Sequence, residues 1–108
     1  MAALREIFPL ELRERLRRGD SVCILDVRER AEIEIAALPG VTHIPMNDIP
    51  ERIGELDPTR ETIVVCHHGI RSAQVAIYLA RSGFEQVVNL AGGINAWSLE
   101  ADPTVPRY

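Results

Sequence analysis

The chain has 108 residues, 46% of them hydrophobic and 26% charged, with a formal net charge of −4. That size and balance fit one globular domain that needs no disulfide staples. They argue against a nucleic-acid partner, since no basic cluster reads as a DNA-binding face. No apolar run is long enough to span a bilayer, and Met1-Ala2-Ala3-Leu4-Arg5-Glu6 turns charged too soon for a signal peptide.

In chain order, Glu6-Ile7-Phe8 predicts a short first strand. Pro9 suits a helix start, and Leu10, Leu12 and Leu16 give that helix an apolar side up to Gly19, its stop. Ser21 to Val27 is an apolar run too short for a helix and reads as a strand buried on both faces. Cys23, in its middle, is expected to be a small buried hydrophobe. Glu29 to Ala37 has helical composition, Pro39-Gly40 breaks it, and Val41 to Ile44 forms a short third strand on which His43 is structural. Asn47-Asp48 is expected to cap a helix carrying Ile49, Ile53 and Leu56, ended by Asp57-Pro58.

Thr62 to Val65 is the fourth strand, and residues 72–82 form the helix after it, stopped by Gly83. Gln86 to Leu90 is the fifth strand. Gly92-Gly93 opens a last helix, Ile94 to Leu99, which Trp97 packs onto the sheet; residues 102–108, with Pro103 and Pro106, read as an irregular tail. Strands alternating with helices at these lengths imply βαβ units, and so a mostly parallel sheet covered on both faces within a single domain, 1–108.

Between the fourth strand and its helix lies Cys66-His67-His68-Gly69-Ile70-Arg71. A cysteine at a strand end, before a helix N-terminus, meets unpaired backbone N–H groups and the positive end of the helix dipole. Such a place favours a thiolate and holds an anion beside it. Cys66 and Cys23 make no disulfide framework, so a reducing cytoplasm is expected, with Cys66 exposed and available for chemistry. Adjacent Cys66, His67 and His68 on a tight loop do not converge on one ion, so no metal is expected.

The loop resembles that of a known family once two further segments are set beside it. These are Leu25-Asp26-Val27-Arg28-Glu29 and Leu90-Ala91-Gly92-Gly93-Ile94-Asn95-Ala96-Trp97. In this order and spacing they resemble the rhodanese-like sulfurtransferases in their short single-domain form. The resemblance implies a three-layer α/β/α domain with a five-stranded, mostly parallel sheet in the order 1-5-4-2-3. That order sets Asp26 and Arg28 next to Cys66, where a pair fixing the strand end is expected. Family members often carry Gly-His-Ile before the third strand; here Pro39-Gly40-Val41-Thr42-His43-Ile44 alters the spacing.

The implied activity is transfer of sulfane sulfur from thiosulfate or a persulfide, through a Cys66 persulfide, to cyanide, a thiol or a protein. It needs no cofactor. Backbone N–H groups of His67, His68, Gly69, Ile70, Arg71 and Ser72 would cradle the terminal sulfur, with Gly69 allowing the tight curve. Arg71 braces or charges the loop, or else pairs with a carboxylate such as Glu29 or Asp26. One of His67 and His68 faces the pocket mouth, and imidazole charge there fades above neutrality. Ser72 caps the helix or touches the persulfide.

Related phosphatases and arsenate reductases carry one more residue between cysteine and arginine. The four residues between Cys66 and Arg71 therefore favour sulfur over a tetrahedral oxyanion. A noncatalytic docking module is the other rival, although such modules commonly lack the cysteine. The tail resembles that of rhodanese domains fused to enzymes activating ubiquitin-like sulfur carriers, which implies a protein as sulfur donor or acceptor.

Overall fold

The computed structural model describes residues 4–108. Five short strands, β1 (Arg5–Ile7), β2 (Cys23–Asp26), β3 (Thr42–His43), β4 (Thr62–Val65) and β5 (Val87–Leu90), form one sheet in the order β1-β5-β4-β2-β3. Every pairing is parallel. The helices are α1 (Pro9–Arg17), α2 (Arg30–Ile35), α3 (Ile49–Arg52), α4 (Ile70–Arg81) and α5 (Gly93–Glu100). Fold class and strand order are those that the family resemblance implies.

Period-2 alternation sorts the apolar side chains into two cores, one on each face of the sheet. Ile63 and Val65 of β4 and Val88 and Leu90 of β5 join Leu12, Ile94 and Trp97. Val64, the following Cys66 and Val87 join Val75, Ala76 and Leu79 of α4. All residues of β4 and β5 are buried, as expected for central strands of a parallel sheet. Asn89 sits among them as a buried polar residue.

Two local expectations fail. The helix predicted around Ile49, Ile53 and Leu56 is split into a 3₁₀ turn (Met46–Asp48), the single turn α3 and a second 3₁₀ turn (Ile53–Glu55), and Asp48 makes no side-chain cap. Pro50 withholds one N–H, and Gly54 is a poor helix former, so a continuous ladder is not sustained. Cys23 is not mid-strand: it opens β2, where pairing with β4 begins, and is only partly buried. Its Sγ lies 3.9 Å from Thr42 Oγ1.

Candidate active site

Cys66 follows β4 directly, and the chain then curls through His67 and His68 to Gly69, which caps α4 in the left-handed conformation (φ 96°). A Cβ at Gly69 would stand 3.2 Å from the backbone N of Gly92, so glycine answers both conformation and space. The helix starts two residues earlier than predicted. Ser72 therefore lies inside α4 rather than capping it, and its hydroxyl is 3.2 Å from Cys66 Sγ.

The N-terminus of α5 grips the loop. The Cys66 and His67 carbonyls accept hydrogen bonds from Ile94 N (2.8 Å) and Asn95 N (3.0 Å), satisfying two unpaired helix-end donors. A trans peptide points its N–H opposite to its C=O, so the amides of His67 and His68 turn away from α5. Gly93 makes this approach possible, because a Cβ there would lie 2.5 Å from both carbonyl oxygens. Gly69 N–H donates to Cys66 Sγ at 3.1 Å.

The expected exposed thiol is not observed: Cys66 is 1% exposed. The cause is strand alternation carried one residue past β4, which directs Cys66 to the same face as Val64, against Val75 and Ala76. A groove of about 270 Å³ between Met46, Ile49, Pro50 and Tyr78 contains no residue of the 66–72 loop.

Asp26 and Arg28 form a fully buried ion pair at 2.7 Å. Arg28 also donates to Ala36 O (2.7 Å) and to the Tyr108 hydroxyl (2.8 Å). Burial pulls the Arg28 pKa down, but the bonds to Asp26 and Tyr108 outweigh it and leave the group firmly protonated. His43 has Nε2 2.6 Å from Arg28 O, the structural role expected of it.

Arg71 pairs with neither Glu29 nor Asp26. It forms a bidentate bridge to Glu32, both contacts at 2.8 Å. The Asp26 carboxylate is already occupied by Arg28, and Glu29 is engaged in the capping box that starts α2. The Arg71 hydrogen bonds hold the Glu32 carboxyl down to about 2.

Tyr108 was missed by sequence reasoning. The tail predicted as irregular returns to the loop, anchored by buried Val105, and the Tyr108 ring stacks on His67 (centroids 3.9 Å apart, planes within 7°). Its hydroxyl accepts from Arg28 and donates to Glu32 at 3.0 Å. One chain of contacts thus runs from Asp26 through Arg28, Tyr108 and Glu32 to Arg71. Burial, and next the neighbouring His68, pushes the His67 pKa down. His68 and Ile70 stand exposed at the rim. Asn89 was missed as well; its signal was one polar residue within Val87-Val88-Asn89-Leu90.

Comparisons with known proteins bear on the family and the fold. A protein named sulfurtransferase from Allochromatium vinosum is 36% identical over 102 residues, covering 94% of this chain and 95% of that one. Thiosulfate sulfurtransferase GlpE of Shewanella oneidensis is 36% identical over 77 residues, 71% of this chain and 76% of its own. The Rhodanese-like/PpiC domain-containing protein 12, chloroplastic, of Arabidopsis thaliana is 44% identical over 82% of the chain, which spans only 31% of that relative. A rhodanese-like domain protein from Staphylococcus aureus superimposes with a TM-score of 0.84 at 31% identity, covering 97% of this chain and 99% of that one. With residues 8–100 matched by the rhodanese-like domain, the chain belongs to the rhodanese-like family.

Proposed function

We propose that the chain is a single-domain sulfurtransferase that carries sulfane sulfur on Cys66. The observation that carries this reading is the Gly69 N–H on Sγ, within a loop whose Cys66 and His67 carbonyls are tied away to α5. Relatives named as sulfurtransferases support the general activity. In the first half-reaction the Cys66 thiolate attacks the outer sulfur of thiosulfate. An Sγ–S bond forms, the S–S bond of the donor breaks, and sulfite leaves with the electron pair. In the second, cyanide or a thiolate attacks the terminal sulfur, and Cys66 leaves as thiolate. The amides of His67, His68, Ile70, Arg71 and Ser72 would hold the terminal charge.

Asp26 and Arg28 support the site rather than react, and their burial fits that role. Two free cysteines suit a reducing cytoplasm as the working compartment. The exposed His68 and Ile70 at the rim leave room for a protein as sulfur donor or acceptor. Burial of Cys66 favours a second reading, a docking module of the same fold.

Intact mass separates the two readings. Incubation with thiosulfate or a persulfide, followed by removal of excess donor, should add one sulfur atom that cyanide removes and Cys66→Ala abolishes. No adduct with any sulfane donor sinks the catalytic reading and leaves the docking one.

A further inference from the structure

Asn89 faces α4 from β5, and its amide orientation is fixed by its partners. Nδ2 lies 3.1 Å from Glu6 Oε2 and 3.1 Å from Gly69 O, both of which only accept hydrogen bonds. The NH₂ must therefore face them, and Oδ1 must face Ser72. Ser72 Oγ is 2.5 Å from that Oδ1, so the single hydroxyl proton of Ser72 is directed to Asn89. What Ser72 then presents to Cys66 Sγ, at 3.2 Å, is an oxygen lone pair.

We propose that Asn89 is a positioning residue that makes Ser72 accept a hydrogen bond from the Cys66 thiol instead of donating one to the thiolate. The inference rests on the persulfide reading for its purpose, but its physical content concerns the free thiol alone. A lone pair facing Sγ disfavours negative charge on that atom. In the persulfide the charge sits on the terminal sulfur and Sγ is neutral, so the arrangement costs the loaded form little. Asn89 thereby favours retention of sulfur over its release, because release returns charge to Sγ.

Gly69 N–H donates to the same Sγ at 3.1 Å and favours negative charge there, but it is common to every variant compared below, so the Ser72 contribution is read as a difference. Arg71 on α4 is matched by Glu32 of α2, and Arg28 by Asp26 of β2. Glu6 of β1 stands behind Asn89. On the loop itself, His67 has its pKa lowered by burial, and His68 is at the exposed rim.

The test is the ultraviolet thiolate absorbance at neutral pH, without any sulfur donor, in a Cys23→Ala background so that Cys66 alone reports. Ser72→Ala should raise the thiolate-to-thiol ratio about two- to tenfold, because it removes an acceptor for the S–H group. Asn89→Leu should also raise it, since the freed hydroxyl can turn to the thiolate. Adding Ser72→Ala to Asn89→Leu should then lower it again. That reversal of sign is the signature, and a residue that merely supports the fold would not produce it.

Thiolate lost in Ser72→Ala alone would overturn the proposal, as would equal effects of Ser72→Ala in both backgrounds. If circular dichroism shows Asn89→Leu unfolded, the direction of change in Ser72→Ala decides the question. Absence of a sulfur adduct combined with the reversal would reject sulfur transfer and leave Asn89's role standing.

Discussion

The two cysteines lie on neighbouring chain segments at opposite ends of the sheet. Cys23 opens β2 and is partly exposed, with Thr42 Oγ1 as a distant partner. Cys66 directly follows β4 and is buried, yet it receives the Gly69 N–H and lies beside the first turn of α4. Exposure and hydrogen-bond donors therefore single out different cysteines. In a parallel sheet the loops at the carboxyl ends of the strands deliver helix N-termini, and with them donors, whereas the opposite ends deliver carbonyls.

The contrast can be broken most directly at the sulfur atoms. Cys66→Ala should abolish sulfur transfer to cyanide, whereas Cys23→Ala should keep it within about twofold, as for a substitution away from any special contact. Loss of turnover in Cys23→Ala would show that the better-exposed thiol takes part.

The next largest effect is expected where α5 meets the loop. Gly93 has φ +61°, and a Cβ there would stand 2.5 Å from two backbone oxygens. Gly93→Ala should cost about 3 kcal/mol or more in urea unfolding, from combined strain and overlap. Gly83 also has positive φ but nothing within 4 Å, so Gly83→Ala should cost only about 1–2 kcal/mol. Equal costs would mean that close packing against Cys66 and His67 is not what holds the loop.

How much of this was legible beforehand follows from range along the chain. The strands, their βαβ order and the Cys66 loop are written in local apolar runs and turn residues. The buried position of Cys66 was also within reach, had Val64-Val65-Cys66 been read as continuing the alternation. Glu32 as the partner of Arg71, and Asn89 behind Ser72, depend on which residues meet across the sheet, and no local pattern encodes that. Tyr108 was hidden most completely: a tail with two prolines looks unstructured until Val105 finds a core to enter.

A smaller effect is expected at Tyr108. Removing its stack on His67 with Tyr108→Ala should speed alkylation of Cys66 by a bulky maleimide roughly fivefold, in keeping with about 1 kcal/mol for an aromatic pair. The rate at Cys23 should not move. Unchanged Cys66 labelling would show that the tail does not limit access.

The smallest effect is electrostatic. Glu32 titrates at about 2 instead of 4.5, its carboxylate stabilised by Arg71. A depressed carboxyl pKa stabilises the fold above the unfolded value, and this contribution fades as pH falls from 4.5 toward 2. Arg71 is 35% exposed, so solvent screening limits the contribution to about 0.5–1 kcal/mol. Arg71→Gln should lose that much at neutral pH, and its unfolding free energy should converge with the parent's in strong acid. A gap that persists there would mark Arg71 as a packing residue instead.

The hold of Ile94 N and Asn95 N on the carbonyls after β4 has a consequence for biogenesis. A ribosome that has released Cys66 has made the thiol but not the hooks that shape its loop, which lie almost thirty residues downstream. During synthesis the loop around that cysteine would stay unshaped, and its curve would arrive only when the final helix docks.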